Sequence, residues 1–316
     1  MKRLLYLLSL LLLLTSCNNY SYTDSRFLMG TECTITVYEK KDVALLDKAF
    51  SLIEAIDGKL SLTKANSEVS EINANAGVGA VSVSEESYNL IKRAMELSNK
   101  TEGAFNPLIG SLTALWGIGS DHARVPSSEE TTQLLPYTSK EHIHFDDSTF
   151  SIFLDDNRTQ IDLGGIGKGY ASDVVATYLK DNKVSKAIIN LGGNVYVLGS
   201  KSDKESWVVG LQNPDSDYGG YYATVDVVDS AVITSGAYER FTVEDGQTYH
   251  HILDPKSGYP SSSNLLSASI ISADATLADA LSTAVFVLGE DEGSALIKKM
   301  GVRAVLLTKD MNIVRL

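Results

Sequence analysis

Alternating and helical hydrophobic patterns divide the chain into predicted strands and helices. Residues 30–38 alternate polar and apolar side chains, which predicts a strand with one buried face. Apolar residues then recur at helical spacing, which predicts a first helix that carries Val43, Leu46, Phe50, Ile53 and Leu60. Ser84 can cap a second helix, whose apolar positions are Tyr88, Ile91 and Met95.

Short apolar runs and two further helical patterns fill the second half of the chain. Strands are predicted at residues 151–154, 160–163, 186–190, 195–198, 207–211 and 231–234. Helices are predicted at residues 170–180 and 275–288. Because the helices lie between hairpin-like pairs of strands and do not alternate strictly with them, the pattern favours an α+β fold over a doubly wound one. We therefore expect a single domain of mixed, largely antiparallel sheets packed with helices.

The first residues carry the pattern of an export signal. Lys2 and Arg3 supply positive charge, and Leu4 to Leu14 form an apolar run. This run is shorter than the roughly 20 residues that a membrane-spanning helix needs, so residues 1–16 are predicted to be a cleaved signal peptide. Leu14-Thr15-Ser16-Cys17 resembles a bacterial lipobox, in which the cysteine is acylated and becomes the new N-terminus. The alternative is an ordinary secretory signal that ends near a cysteine.

A lipidated Cys17 predicts a membrane-attached protein outside the cytoplasm. Two or three acyl chains hold a protein stably at a bilayer, because each buried methylene contributes roughly 0.8 kcal/mol. Residues 17–26 are predicted to be a lipidated, polar tether, and residues 27–316 the folded domain. The expected location is the bacterial cell membrane, with the domain facing the periplasm or the cell exterior.

Composition narrows the classes of partner and of fold. The formal net charge of -13 at pH 7 argues against nucleic acid, whose phosphates need a basic surface. The chain has 2 cysteines, and acylation of Cys17 leaves Cys33 as the only thiol, so neither an internal disulfide nor a zinc site is expected. A hydrophobic content of 44% provides the core of one large domain or of two closely packed lobes.

A glycine-rich turn joins a predicted strand to a predicted helix. Its sequence is Asp162-Leu163-Gly164-Gly165-Ile166-Gly167-Lys168-Gly169. Glycines let backbone approach a ligand, and the amides of a helix N-terminus together with Lys168 suit a phosphate group. The spacing matches neither a Walker A loop nor the Gly-x-Gly-x-x-Gly motif. The alternative interpretation is a tight structural turn with a solvated lysine.

Asp279 and Thr283 lie four residues apart in a predicted helix, so their oxygens project from the same face. Mg²⁺ accepts an incomplete set of protein oxygens and completes its octahedron with water and substrate phosphates. A backbone carbonyl from the glycine-rich turn could supply a third protein ligand. The alternative is a solvated acid beside a threonine that hydrogen-bonds its own helix.

Three other segments contain candidate chemistry. In residues 251–258, His251 precedes a Pro/Gly turn and could move protons; the alternative is a surface histidine beside a turn-capping aspartate, the class to which we assign His250. Ser235 lacks the Gly-x-Ser-x-Gly elbow of a hydrolase nucleophile. Residues 190–194 predict either a hairpin turn between buried strands or backbone placed against a ligand.

A series of short motifs occurs in a fixed order along the mature chain. It begins with Met29-Gly30-Thr31, Gly103-Ala104-Phe105-Asn106-Pro107 and Leu115-Trp116-Gly117-Ile118-Gly119. It continues through residues 162–173 and 190–194 and closes with Thr234-Ser235-Gly236, residues 251–258 and Asp279-Ala280-Leu281-Ser282-Thr283. Each motif is weak singly, but the ordered set resembles the ApbE family, FAD:protein FMN transferases, over most of the mature chain.

The resemblance implies a single α+β domain that binds FAD with Mg²⁺ and transfers FMN, through a phosphoester bond, to a Thr or Ser of an acceptor protein. AMP is the implied leaving group. Carried over position by position, the FAD site is lined by Met29, Ala104, Phe105, Asn106, Asp162, Lys168 and Leu253. The implied metal ligands are the backbone carbonyl of Gly165, Asp279 and Thr283. His251 and Asp279 are the expected catalytic residues, with His251 handling the proton of the attacking hydroxyl.

Two departures from the family pattern leave other functions open. Thr63 stands where the family commonly has an aromatic residue that could stack on a flavin or adenine ring, and Asn106 stands where it usually has Asp. If water enters the site, the same residues become an FAD pyrophosphatase that yields FMN and AMP. A non-catalytic flavin-binding lipoprotein is a further alternative. The acceptors that the resemblance implies are flavin-carrying subunits of respiratory or electron-transfer complexes.

Overall fold

The computed structural model describes residues 20–39, 43–202, 204–214 and 219–316. The predicted signal peptide at residues 1–16 and the predicted lipidation site at Cys17 lie outside these ranges. No helix within the described ranges is both long and apolar enough to cross a membrane.

Seven α-helices occur in the described residues. They are α1 (Val43–Leu60), α2 (Glu68–Ala74), α3 (Glu85–Lys100), α4 (Gly110–Trp116), α5 (Ser128–Leu134), α6 (Gly167–Asp181) and α7 (Ala275–Met300). Two 3₁₀ turns follow α5, at Leu135–Thr138 and Lys140–His142. Helices α1, α3 and α6 correspond to helices predicted from hydrophobic spacing. The helix predicted at 275–288 ends where α7 kinks, at Gly289, whose φ of 82° and ψ of -172° are not helical.

The strands form one large sheet and three small ones. In chain order they are β1 (Tyr22–Leu28), β2 (Thr31–Val37), β3 (Val81–Ser82), β4 (Ile143–Asp146), β5 (Ser151–Leu154), β6 (Ala187–Leu191), β7 (Asn194–Leu198), β8 (Trp207–Gln212), β9 (Tyr221–Val227), β10 (Ser230–Gly236), β11 (Phe241–Glu244), β12 (Gln247–His250), β13 (Leu265–Ser272), β14 (Arg303–Thr308) and β15 (Ile313–Arg315). The large sheet has the order β1-β2-β6-β7-β10-β13-β14-β15, and all of its pairs are antiparallel.

The large sheet separates two apolar layers. Because successive strand residues point to opposite faces, Ile233 and Ile270 join the main core with α1, α6 and α7, whereas Val232 and Ile271 join a second cluster under the β8–β9 hairpin. Leu253 belongs to a third, smaller cluster beside α4. This arrangement confirms the predicted single α+β domain with largely antiparallel sheets.

Two sequence predictions about local structure are wrong. Residues 160–163 form no strand beyond one isolated bridge from Gln160 to Ile109, because their backbone groups bond to a helix side chain and a loop. The Ile161 amide and carbonyl pair with the Asn73 side chain of α2, and the Asp162 amide donates to the Pro107 carbonyl. The predicted end of the polar tether at residue 26 is wrong, because residues from Tyr22 onward pair with β2 in a full antiparallel ladder. Polar side chains are compatible with an edge strand, whose outer face meets water.

Candidate functional site

The glycine-rich turn enters α6 and brings that helix against α7. Asp162 closes the turn, because its Oδ1 accepts a hydrogen bond of 2.8 Å from the Gly164 amide. The amide of Gly169, in the first turn of α6, donates a hydrogen bond of 2.8 Å to Oδ2 of Asp279. A Cβ at Gly169 would lie only 2.3 Å from the carbonyl oxygen of Ala275, so this approach requires glycine.

Asp279 is a buried carboxylate with only neutral hydrogen-bond donors. It is 4% exposed. Its second oxygen, Oδ1, accepts from Nδ2 of Asn194 at 3.1 Å, at the start of β7. Within the described ranges no Lys, Arg or His forms an ion pair with it. A buried charge normally has a compensating partner, and a carboxylate retains further acceptor positions after two such bonds. A cation bound from outside the chain therefore fits this position.

Thr283 and Gly165 lie side by side, as the proposed metal set requires. A Cβ built on Gly165 would lie 3.2 Å from Oγ1 of Thr283 and 3.2 Å from the Phe105 ring. Oγ1 of Thr283 also lies 3.4 Å from Oγ of Ser235, at the end of β10. Asp279 occupies the preceding turn of the same helix. The chain thus places a carboxylate, a hydroxyl and a glycine backbone in one neighbourhood.

This set of donors fits Mg²⁺ rather than a softer metal. In the described residues no group of three or more His, Cys, Asp or Glu side chains could hold a metal. The predicted ligands include a single carboxylate, and Mg²⁺ commonly takes one or two carboxylates and completes its shell with water and substrate phosphates.

Met29 lies at the other side of the same turn. It follows β1 with a positive φ of 52°, and its Cε would lie 3.5 Å from a Cβ built on Gly167. Its amide donates to Oδ2 of Asp57 at 3.3 Å, and the same oxygen accepts from Nζ of Lys64 at 2.7 Å. The turn that contains Thr63 is therefore connected to Met29 through Asp57.

The segment around Phe105 approaches the turn mainly through backbone and ring contacts. Ala104 and Phe105 are 4% and 3% exposed. The side chain of Asn106 points elsewhere: Nδ2 donates to the Thr138 carbonyl at 2.9 Å, and Oδ1 accepts from the Leu108 amide at 2.9 Å. Asn106 therefore holds a loop in place, which an aspartate could not do in the same way because it lacks the donor.

His251 is fixed in one orientation by backbone. Its amide and its Nδ1 lie 3.0 Å and 3.2 Å from the carbonyl oxygen of Arg240. Because a carbonyl only accepts, the neutral imidazole carries its proton on Nδ1 and leaves Nε2 as an acceptor. Burial, together with the positive charges of Arg240 and Lys168, lowers the pKa of His251 to about 4. The ring is therefore neutral, and able to accept a proton, at neutral pH.

Sequence reasoning missed two charged residues at this site, Glu239 and Arg240. Glu239 is exposed at its surface, but the surrounding protein atoms desolvate its carboxyl group, and this desolvation raises its pKa. The positive charges of Lys168 and Arg240 oppose this increase. Lys168 acts electrostatically on both Glu239 and His251 and forms no ion pair of its own in the described chain. A pair of charged residues shortly after the Thr234-Ser235-Gly236 motif is the signal that would have identified them.

Leu253 stands apart from the Asp279 group. It is 6% exposed and packs with Leu112 and Trp116. The Trp116 indole donates to the carbonyl of Gly258 at 2.8 Å, so the Leu115–Gly119 motif and residues 251–258 support each other. The structure thus unites Met29, Phe105, Gly165, Lys168, Asp279 and Thr283, with His251 nearby and Leu253 in the small cluster beside α4.

Known proteins resemble this chain over most of its length. The family description "ApbE family" matches residues 29–306, and a prokaryotic membrane lipoprotein lipid attachment site matches residues 1–18. The chain is 37% identical over 298 residues to the FAD:protein FMN transferase of Klebsiella pneumoniae (strain 342), covering 94% of this chain and 92% of that protein. It is 34% identical to the FAD:protein FMN transferase of Treponema pallidum (strain Nichols) over 310 residues, covering 92% and 86%.

Solved structures show the same fold. The ApbE protein of Thermotoga maritima superposes with a TM-score of 0.87 at 37% identity, covering 94% of this chain and 97% of that one. The flavin transferase ApbE of Vibrio cholerae superposes with a TM-score of 0.83 at 27% identity, covering 94% and 96%. Motif order, fold and near full-length matches lead to one conclusion: the chain belongs to the ApbE family.

Proposed function

We propose that the protein is a Mg²⁺-dependent FAD:protein FMN transferase, which attaches FMN to a Thr or Ser hydroxyl of an acceptor protein and releases AMP. The observation that carries the proposal is the buried Asp279 carboxylate, which has no cationic partner in the described chain and lies on the same helix face as Thr283, against the glycine-rich turn. The relatives named FAD:protein FMN transferase support the transfer of FMN from FAD to a protein.

Each side chain has a role consistent with its position. Asp279, Thr283 and the Gly165 carbonyl would hold Mg²⁺, which when bound neutralises charge on the diphosphate of FAD. Lys168, unpaired in the described chain, offsets further phosphate charge. Met29, Ala104, Phe105 and Asp162 line the FAD site. Asn106 and Leu253 are retained as predicted FAD contacts, although the Asn106 side chain bonds to a neighbouring loop and Leu253 packs with Leu112 and Trp116.

The transfer step requires only FAD and the acceptor hydroxyl as reactants. The acceptor oxygen attacks the phosphorus of the FMN half, forming a new P–O bond, while the bond from that phosphorus to the bridging oxygen breaks. AMP leaves with the bridging oxygen. The acceptor proton passes to Nε2 of His251, which is neutral and oriented by Arg240. In such chemistry the protein mainly positions groups and stabilises charge.

A hydrolase is the second candidate, and Thr63 favours it. Thr63 is exposed on its turn, where an aromatic ring would cover more of the bound flavin nucleotide. A more open site admits water, which would replace the acceptor hydroxyl and yield free FMN and AMP.

The decisive experiment follows AMP release from FAD by the mature domain, with and without Mg²⁺. We expect Asp279→Ala to lower the Mg²⁺-dependent rate by about 100-fold or more, a loss comparable to removal of one preorganised charge-stabilising group. The matched control is Asp181→Ala, an exposed acid at the far end of α6. If both variants release AMP at the unaltered rate, Asp279 does not hold the metal.

A candidate acceptor then separates the three functions. Covalent flavin on a flavin-carrying subunit of an electron-transfer complex, seen as fluorescence that survives denaturation, supports the transferase. AMP release at the same rate without any acceptor supports the pyrophosphatase. FAD binding without AMP release, with or without acceptor, would leave a flavin-binding lipoprotein as the function.

The proposed location is the bacterial cell membrane, through acyl chains on Cys17, with the domain facing the periplasm or the cell exterior. The lipid attachment site matched at residues 1–18 supports this placement. Cys17→Ser is expected to release the protein from the membrane fraction while AMP release continues.

A further inference from the structure

The first strand of the large sheet connects the N-terminal end of the domain to the flavin site. β1 begins at Tyr22 and ends at Leu28, and Met29, which lines the site, follows directly. A strand rises about 3.3 Å per residue, so Tyr22 and Met29 are separated by roughly 20 Å. Strands β7 and β10 have the same two ends. Asn194 and Gly236 lie at the end near the site, and Leu198 and Ser230 lie at the opposite end.

The predicted lipid attachment point is very close to the start of this strand. Cys17 precedes Tyr22 by five residues. A fully extended chain spans at most about 3.6 Å per residue, so acyl chains on Cys17 hold Tyr22 within roughly 18 Å of the bilayer surface. The length of this connection therefore limits which part of the domain can reach the lipid.

Three aromatic residues and a lysine surround that end of the sheet, which we call the anchor surface: Tyr22, Tyr38, Trp207 and Lys186. Tyr22 pairs with Val37 at the end of β2, and Tyr38 follows that strand. The Tyr38 and Trp207 rings lie 4.9 Å apart, and the Tyr38 amide donates to the Lys186 carbonyl at 3.0 Å. Tyr22 and Tyr38 are 37% and 36% exposed. Tyr and Trp are enriched where proteins meet the lipid headgroups.

Charges around the anchor surface are of both signs. Nζ of Lys186 donates to the Lys201 carbonyl at 3.4 Å, and Lys201 pairs with Glu205 at 3.6 Å. Glu39 lies at the same end and accepts a hydrogen bond from the Ser185 amide at 2.6 Å. Among the described residues named here, two lysines face two glutamates. Contact with lipid therefore rests on the aromatic rings, and the acyl chains supply the affinity.

We propose that the anchor surface faces the lipid bilayer, which places the flavin site at the other end of β1, away from the membrane. The inference rests on the proposed lipid anchor at Cys17. An upright β1 adds roughly 20 Å to a tether of at most roughly 18 Å, so the site lies no more than roughly 40 Å above the bilayer. An acceptor hydroxyl on a loop or soluble domain of a membrane protein can be presented in that range.

The test uses the acylated full-length protein in vesicles of phosphatidylethanolamine and phosphatidylglycerol. An environment-sensitive fluorophore is attached to a cysteine introduced at Tyr38→Cys or, as the matched control, at Val243→Cys. Val243 is 57% exposed on β11, which continues from the site end of the sheet. The native Cys33 is buried and does not compete for the label. Lipids with a quencher near the headgroup are then added.

We expect several-fold stronger quenching at position 38 than at position 243. Equal quenching, or stronger quenching at position 243, would overturn the proposed orientation. Co-sedimentation with vesicles reports the anchor separately: loss of co-sedimentation would disprove the anchor and this orientation together. AMP release, measured on the same samples, reports the proposed enzymatic activity independently of either result.

Discussion

The backbone amide of Gly169 donates a hydrogen bond of 2.8 Å to Oδ2 of Asp279, which joins the first turn of α6 to the second turn of α7. The two residues are 110 positions apart in sequence. A second contact fixes the same pair of helices, because the carboxylate of Asp173 in α6 accepts from the amides of Ala275 and Thr276 at the start of α7. The glycine-rich turn and the proposed metal ligands therefore behave as one structural unit.

Gly169→Ala is expected to damage both stability and activity. A Cβ at this position would lie 2.3 Å from the Ala275 carbonyl oxygen and 2.7 Å from Cβ of Asp279, so the helices must separate. Overpacking of this kind costs about 1–3 kcal/mol, measurable by urea unfolding. AMP release should fall as well, since Asp279 moves. The control is Gly58→Ala in α1, where no atom lies within 4 Å and alanine should stabilise the helix; equal effects at both positions would contradict the prediction.

Stability should depend on pH through His251. Its folded pKa of about 4 lies below the ordinary histidine value of about 6.5, so the folded state binds fewer protons than the unfolded state between these pH values. The contribution of His251 to the free energy of unfolding is therefore constant above about pH 6.5 and decreases as the pH falls toward 4. His251→Gln should remove this part of the slope in urea unfolding at several pH values, whereas His122→Gln, at an exposed position, should retain it.

Thr63→Tyr should tighten FAD binding and reduce hydrolysis. An aromatic ring on this turn would stack on the flavin or the adenine and contribute about 0.5–1.5 kcal/mol, or roughly two- to thirteen-fold in Kd. It would also exclude water, so AMP release without acceptor should decrease relative to covalent transfer. Fluorescence titration with FAD measures the first effect. Ala65→Tyr, exposed on the same turn, is the control and should change neither quantity.

Asn106→Asp, which restores the residue usual in the family, should destabilise this protein. The substitution removes the Nδ2 donor to the Thr138 carbonyl and places a carboxylate beside that oxygen. The expected loss is about 1–3 kcal/mol in the free energy of unfolding. Asn89→Asp, on the exposed surface of α3, should have little effect. Full stability of Asn106→Asp would show that the loop rearranges around the new side chain.

Sequence patterns predicted the helices and strands in which buried residues recur at regular spacing. The helices of the main core were predictable from the spacing of their apolar residues, because each helix buries one apolar face. The β6–β7 hairpin was predictable from its two short apolar runs and the glycines between them. The hairpin turns at Gly192 and Gly193, both with positive φ, as its sequence indicates. Residues 160–163 also have buried apolar side chains, yet their backbone bonds to the Asn73 side chain and to a loop. The local sequence pattern does not predict hydrogen bonds to partners so distant in sequence.

The candidate site was predictable only where motifs marked it. The ordered motifs located Asp279, Thr283, Gly165 and Lys168, which the fold places around one turn. Asn194 was part of a motif, but its bond to Asp279 links residues 85 positions apart. Glu239 was missed because its environment depends on how β10 ends beside α6 and α7, and this packing is a property of the folded chain.

The residues of the candidate site come from both ends of the chain, so the complete site can form only late in synthesis. Met29 follows the first strand, whereas Asp279 and Thr283 belong to the last helix. A nascent chain that ends before α7 lacks both of these side chains and leaves the amide of Gly169 without its acceptor. The proposed metal site is thus complete only when nearly the whole polypeptide has been made, so incomplete or truncated chains should be unable to consume FAD.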